Sequence, residues 1–297
     1  MTGTGGQLGF DLVRSLSPLG DIHGLDRASL NLCDASAIRD CVRSLRPSLI
    51  VNAAAYTAVD EAESDVLTCD AVNAVAPGIL AEEAGRCGAA IVHFSTDYVF
   101  DGTSALPYCE DDPTGPLNVY GRTKRDGEHA VVAVGAPYMI FRASWIYSLR
   151  GRNFLRTMRR LFQVREEVSV VSDQRGSPSW SGVIAAATAA IVASASVPGV
   201  SLATGIGQHA GVYHLSAEDG ASWYEFATAI RDLDPDRGSH RVRTIRPITS
   251  DEFPTRARRP RNSRLDAARA EVRFAIKLPA WREQLALCLA DVQTTAR

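Results

Sequence analysis

Apolar runs separated by small and polar residues cut the first half of this chain into alternating strands and helices. Residues 47–55 are almost continuously apolar and end in alanines. Residues 91–100 (Ile91-Val92-His93-Phe94-Ser95-Thr96-Asp97-Tyr98-Val99-Phe100) form a second run, closing on hydroxyls and a carboxylate, and residues 138–142 form a third. Unbroken runs of this length fit strands covered on both faces. Residues 22–26 add a short strand. Helical spacing falls between them, at 10–16, 35–45, 71–85 and in the stretch that opens at Tyr120. Strands alternating with helices predict an α/β fold with a doubly wound parallel sheet, Rossmann-like in its order.

The rhythm changes after about residue 150. An amphipathic basic helix is expected at 153–164, a strand at 168–171, an Ala-rich helix at 183–195 and a strand at 211–215. Further helices start at Ser222 and at Trp281, the last running over 281–292. The division this predicts is a dinucleotide-binding domain over 1–150, with part of 183–215 packing back on it. A smaller C-terminal α/β substrate domain is expected over 151–297.

Glycines stand at positions 3, 6 and 9, just before the helix at 10–16. Such a G-x-x-G-x-x-G run lets backbone approach a pyrophosphate at a helix N-terminus. The glycine loop of a dinucleotide fold follows a strand at the middle of the sheet. Here only Met1 and Thr2 precede Gly3. The first strand is therefore expected to be missing from the sequence, with two neighbours left unpaired. The written start would then lie inside a longer reading frame, or the chain would be poorly stable.

Composition narrows the classes further. The chain has 297 residues, 45% hydrophobic and 22% charged, with a net charge of −2. That balance fits a soluble globular protein and gives no global field for nucleic acid or anionic membrane. Six cysteines (Cys33, Cys41, Cys69, Cys87, Cys109 and Cys288) are scattered without a C-x-x-C pair, which predicts reduced thiols, no zinc site and a cytoplasmic setting. No basic-then-apolar leader opens the chain, and the Ala-rich run is too short to span a bilayer.

The candidate chemistry centres on Tyr120-Gly121-Arg122-Thr123-Lys124. Residues four apart share a helix face, so Tyr120 and Lys124 would stand together, and the ammonium is expected to lower the phenol's pKa. Ser95, Thr96 and Asp97 end the preceding strand, where ligands of open α/β sheets sit. A hydroxyl, a tyrosine and a lysine converging on one pocket suit carbonyl reduction with a nicotinamide cofactor. Asp26 follows the first glycine by about the twenty residues expected of a ribose-binding acid. Arg27 beside it could take a 2′-phosphate, which leaves NADH and NADPH both open. Asp34 reads equally as an adenine contact or as a helix N-cap. Asn73 is expected to tie backbone near the cofactor or simply to pack.

Together these residues resemble the extended short-chain dehydrogenase/reductases, and within them the dTDP-4-dehydrorhamnose reductase family, over nearly the whole chain. The specific signals are the runs at 52–60 (NAAAYTAVD), 95–102 (STDYVFDG), 116–121 (PLNVYG), 173–178 (DQRGSP) and 259–265 (RPRNSRL). The resemblance implies that Gly3, Gly6, Gln7, Leu8 and Gly9 hold the pyrophosphate, and that Asp26, Asp34 and Ala35 hold the adenosine half. It implies that Ala55, Tyr56, Thr57 and Phe94 line the cofactor, with Tyr120 and Lys124 on its nicotinamide ribose. Thr96, Asp97 and Trp145 would contact the sugar nucleotide, with Arg259 and Asn262 also on the substrate side. The implied reaction is reduction of dTDP-4-dehydro-L-rhamnose. Tyr120 would be the proton donor, Lys124 would tune it, and Thr96 would hydrogen-bond the carbonyl oxygen. Ser179 stands where the family usually has Thr, and Asp11 where it often has Glu. Some relatives use acids at that position to hold Mg2+ at a dimer interface, so a homodimer and Mg2+ stay open here.

Three other readings compete. A sugar-nucleotide epimerase of the same superfamily would share the cofactor site but regenerate its cofactor. A regulatory subunit without activity would have no need of Thr96, Tyr120 and Lys124 together. Nucleic-acid binding would have to rest on the five arginines of 256–264 alone, in a chain of net charge −2.

Overall fold

The computed structural model describes residues 1–295. Helix α1 (Gln7–Leu16) follows the glycine loop, and α2 (Ala35–Leu45) precedes strand β1 (Leu49–Asn52). Next come α3 (Ala76–Cys87), β2 (Ala90–Thr96), α4 (Val119–Val134) and β3 (Tyr138–Ala143). The later part holds α5 (Phe154–Val164), β4 (Glu167–Val171), α6 (Ser181–Ala195), β5 (Gly211–His214), α7 (Trp223–Leu233), β6 (Thr244–Ile248) and α8 (Trp281–Thr295).

The main sheet is parallel, in the order β1-β2-β3-β5. Its register sets Val51 beside Val92, Phe94 beside Phe141 and Phe141 beside Tyr213. Every residue of β2 is buried, as a strand covered on both faces requires. One face packs on α1 and α6, through Leu8, Leu12, Phe94, Phe141, Ile184 and Ile191. The other packs on α2 and α3, through Ile38, Val42, Ile79 and Leu80 against Ile50, Ile91 and Ile140.

The centre of the sheet departs from expectation. Thr2 fills the slot that was to lack a strand, bridging Leu25 on one side and Asn52 on the other. Its N–H donates to Val51 O at 3.0 Å, and the Leu25 N–H donates to Met1 O at 2.8 Å. The backbone groups of both neighbours therefore find partners at this point. The strand expected over 22–26 shrinks to the single bridge at Leu25, because two residues of central strand offer it no longer edge.

The helix expected at 71–85 is also divided. Residues Ala71–Val75 form a π-helical turn that runs into α3. Such turns widen a helix locally and recur at functional sites. Helix α4 meets this turn at Gly127, where a Cβ would lie 2.1 Å from the Asn73 carbonyl oxygen. A side chain there would push the two segments apart.

A second apolar core gathers Leu155, Phe162, Val168, Val170, Phe226, Ile230, Trp281 and Leu285 from α5, β4, α7 and α8. Strands β4 and β6 pair in parallel within it. Helix α7 opens on a capping box in which Ser222 and Glu225 satisfy each other's backbone N–H groups.

Candidate active site

The glycine loop is shaped for close approach. Gly3 has φ +75°, and a Cβ on it would lie 2.6 Å from Ala54 N; a Cβ on Gly9 would lie 2.0 Å from Gly3 O. Only glycine fits both places, so the loop lies flat on the end of β1. Gly6 caps α1 without a side chain, and the helix's first N–H groups, from Gln7 to Gly9, form a cradle for an anion. The Gln7 side chain turns elsewhere. Its Oε1 accepts from Asn153 Nδ2 at 2.7 Å and from Ser148 Oγ at 3.3 Å, tying α1 to the start of α5. Leu8 is buried in the core, so of these residues the backbone alone faces a pyrophosphate.

Asp26 and Asp34 are both exposed at the far end of this loop. Asp26 Oδ1 accepts from Ala28 N at 3.0 Å and Ser29 N at 2.9 Å, and the Ser29 hydroxyl holds its carboxyl below the usual range. Arg27 beside it is exposed. Asp34 caps α2, accepting from Ser36 N at 2.9 Å and Ala37 N at 3.0 Å. The cap is thus one realised role of Asp34, and Ala35 is the first residue of the helix it caps.

Ala55, Tyr56 and Thr57 follow β1 at the same end of the sheet. Asn73 fixes this segment: its Oδ1 accepts the Tyr56 N–H at 2.8 Å and its Nδ2 donates to Tyr56 O at 3.1 Å. The π turn is what aims Asn73 here, and no local sequence pattern marks it.

Tyr120 and Lys124 share one face of α4, whose N-cap Asn118 accepts from Gly121 N at 2.8 Å. The expected coupling between them takes another form. Lys124 is 2% exposed, and its Nζ donates to Phe94 O at 2.6 Å, with His93 Nε2 3.3 Å away. Burial brings the lysine down to about 8. Tyr120 is half-buried, and burial pushes its phenol up, opposed by a hydrogen bond with the Thr96 hydroxyl. The group that eases ionisation of Tyr120 is therefore Thr96, because the lysine's bonds go to the strand.

Thr96 donates to Asp97 Oδ1 at 3.0 Å and accepts from Tyr98 N at 3.2 Å. Asp97 is 2% exposed and also receives the hydroxyl of Ser144, at 2.9 Å, with Ser263 close enough to lower its pKa. Burial raises its carboxyl to about 6. Asp97, expected at the sugar nucleotide, is buried here, and its carboxylate accepts the Thr96 hydroxyl. Ser144 and Ser263 were missed by sequence reasoning, although Ser263 lies in a motif already singled out.

Around the mouth, Trp145 has φ +45° and its indole stacks on Trp223 at 3.4 Å with the rings 2° apart. A non-glycine residue in this region is worth a functional look. Arg259 is expected on a substrate pyrophosphate, but one edge of its guanidinium forms a two-bond pair with Asp60, at 3.1 and 2.6 Å. Asn262, also expected on the substrate side, has its amide engaged within the protein. Its Nδ2 donates to Ser104 O and Leu106 O, both at 2.8 Å, and its Oδ1 accepts from Arg264 Nε at 2.8 Å, so the amide fastens its own loop.

No group of three or more His, Cys, Asp or Glu side chains suited to a metal ion occurs among the described residues. Asp11 Oδ2 accepts from Ser181 Oγ at 2.5 Å, which joins α1 to α6.

This arrangement meets its relatives directly. Residues 1–294 match the family model of the RmlD substrate binding domain. The dTDP-4-dehydrorhamnose reductase of Burkholderia thailandensis is 43% identical over 296 residues, covering 98% of each chain. The chain belongs to the dTDP-4-dehydrorhamnose reductase family. The Escherichia coli K12 member is 39% identical over 299 residues, covering 99% of this chain and 97% of its own. Among solved structures, the Bacillus anthracis reductase in complex with NADP superposes with a TM-score of 0.87 at 33% identity, covering 98% of this chain and 97% of that one. Thr96 ends β2, and Lys124 of α4 donates to Phe94 O on the same strand.

Proposed function

We infer that the protein reduces the C4 keto group of dTDP-4-dehydro-β-L-rhamnose to give dTDP-β-L-rhamnose, with NADPH or NADH, as the last step of dTDP-L-rhamnose biosynthesis. It is an oxidoreductase acting on a CH–OH group. One observation carries this reading: Tyr120, Thr96 and Lys124 meet at the end of β2, in a chain whose relatives at 43% and 39% identity bear this activity in their names.

The residues fit a nicotinamide dinucleotide. The flat loop at Gly3 and Gly9 and the open N-terminus of α1 suit the pyrophosphate. Asp26, about twenty residues after the first glycine, is proposed to meet the adenosine ribose. Phe94, whose ring packs on Phe141 at 5.8 Å, and the 55–57 segment are proposed to flank the cofactor. When bound, the cofactor supplies the hydride that reaches the keto carbon.

The rest falls to the chain. Tyr120 gives its phenolic proton to the developing alkoxide. Thr96 is then proposed to turn its single hydroxyl proton from Asp97 to the phenolate, while its oxygen keeps the bond from the Tyr98 N–H. Donors aimed at developing oxyanion charge are usually a large catalytic term. Trp145 and Arg259 are proposed to border the sugar nucleotide. The division at about residue 150 is likewise proposed, supported by two separate cores and by α6 packing on α1. Six free cysteines fit a cytoplasmic setting.

The test is cofactor oxidation with the keto sugar generated in situ. One NAD(P)H consumed per sugar supports reduction. Turnover without net consumption would make the protein an epimerase, and no turnover of any keto sugar would make it a subunit without activity.

A further inference from the structure

Trp145 follows the end of β3 in the main sheet, and Trp223 opens α7 of the second core, so their stack joins the two halves of the chain. Each ring is held from outside the pair. Trp223 sits on Phe154 of α5 at 4.6 Å, and its Nε1–H donates to Gln174 Oε1 at 3.3 Å. Gln174 is fixed in turn, its Nε2 donating to Ser250 Oγ at 3.0 Å. The capping box of Ser222 and Glu225 sets the turn from which Trp223 projects.

On the other side, a Cβ on Gly176 would lie 2.2, 2.4 and 2.7 Å from Cε2, Nε1 and Cδ2 of Trp145. Those three atoms belong to the five-membered ring, so the Gly176 backbone lies over a face of the indole. Trp223 covers the opposite face, because a parallel ring 3.4 Å away leaves no room for chain in between. Gly176 pairs with Ala221, two residues before Trp223, so one short ladder delivers both jaws. The Trp145 backbone is tied down as well. Its carbonyl accepts the Ser179 N–H at 3.3 Å, and the neighbouring Ser144 hydroxyl accepts the Ser177 N–H at 3.1 Å.

A face-to-face pair this close is not the offset or edge-on arrangement that aromatic rings prefer. Attraction between the rings therefore does not set their spacing; the groups behind them do. A left-handed φ at a tryptophan likewise persists only where the surroundings over-determine it. Both departures fall on Trp145. We propose that Trp223 is a positioning residue for the sugar nucleotide: with Gly176 it clamps the Trp145 indole, so that the plane of the ring is set before substrate arrives. This rests on the reading that Trp145 borders the sugar nucleotide. Ordering a side chain in advance removes that cost from binding.

Two measurements on the full chain test this. The chain has four tryptophans, so the Trp145 indole signals are assigned by their loss in Trp145→Phe. Rings stacked face to face shield each other's protons. The Trp145 ring protons should therefore lie upfield in the free wild-type protein, before any ligand is added, and should move downfield in Trp223→Leu. Unshielded Trp145 protons in the wild type overturn the clamp. The second measurement is affinity for dTDP-β-L-rhamnose, the proposed product, beside affinity for NADPH. Without the clamp, binding must order one large side chain, so Trp223→Leu should bind the sugar nucleotide roughly two- to tenfold more weakly. Its affinity for NADPH should stay close to wild type. Trp223→Phe keeps a ring in place and should recover most of the loss, and Gly176→Ala, which pushes on the opposite face, should show the same selective loss. Equal losses for both ligands would make the stack a brace between the two halves and overturn the proposal. Wild-type protein without reductase activity sinks the proposed function, and this inference with it. Wild-type protein that reduces the keto sugar, while Trp223→Leu binds dTDP-β-L-rhamnose as tightly, sinks this inference alone.

Discussion

Thr96 donates its hydroxyl to the buried Asp97 carboxylate at 3.0 Å, and the Tyr98 N–H donates to the same hydroxyl oxygen at 3.2 Å. The hydroxyl and the buried acid thus form a pair, and the lysine that shares the helix face of Tyr120 bonds to Phe94 O instead. The first consequence concerns Tyr120→Phe, which removes the phenolic proton and keeps the ring. General acid–base groups contribute roughly 10²–10⁴-fold. Turnover should fall by that factor while NADPH affinity, read by fluorescence titration, stays close to wild type. Near-normal turnover would take Tyr120 out of the mechanism.

Asp97 gives a stability prediction with a definite sign. Its folded pKa, about 6, lies above the unfolded value of 3.8, and burial is the main cause. A carboxyl raised in this way contributes stability that is fully present below pH 3.8 and is lost as pH rises through about 6. A shift of this size corresponds to about 3 kcal/mol between the two protonation states. Asp97→Asn cannot ionise, so its stability relative to wild type should improve between pH 4 and pH 8. Urea denaturation across that range reads the difference. A gap that does not change with pH would mean that Asp97 titrates normally.

The proposed ribose contact of Asp26 gives a prediction about the choice between cofactors. It is exposed, with Oδ1 held by the 28–29 turn and Arg27 beside it. Asp26→Ala removes a carboxylate that repels a 2′-phosphate and leaves the arginine. The ratio of kcat/KM for NADPH over NADH should rise, by about tenfold for each 1.4 kcal/mol of repulsion removed. An unchanged ratio would show that another residue meets the ribose.

Much of this was legible in the chain because it depends on local pattern. The apolar runs around Ile50, Ile91 and Ile140 became the central strands, since a strand covered on both faces has no polar face to show. The Tyr120/Lys124 spacing gave a shared helix face, and Gly3 and Gly9 gave the flat loop. What stayed hidden depends on distant partners. The burial of Asp97 was not legible because nothing local shows that Ser144, 47 residues on, donates to its carboxylate. Asn262 looked free because Ser104 and Leu106, which bind it, are some 150 residues away in the chain. Lys124 was assigned to Tyr120 on helix geometry, whereas the carbonyl that binds it comes from β2. The central slot was expected to be open because Met1 and Thr2 are too short to register as a strand, yet one residue bridges both neighbours.

The most direct test of the central claim follows the hydride itself. NADPH carrying deuterium at the transferred C4 position should be incubated with the protein and dTDP-4-dehydro-L-rhamnose, and the product examined by NMR. The account predicts a rhamnose bearing one deuterium at C4 for each cofactor oxidised, with the signal reduced in Tyr120→Phe to the same extent as turnover. A product without deuterium at C4, or a cofactor that keeps its label while the sugar changes configuration, would contradict it.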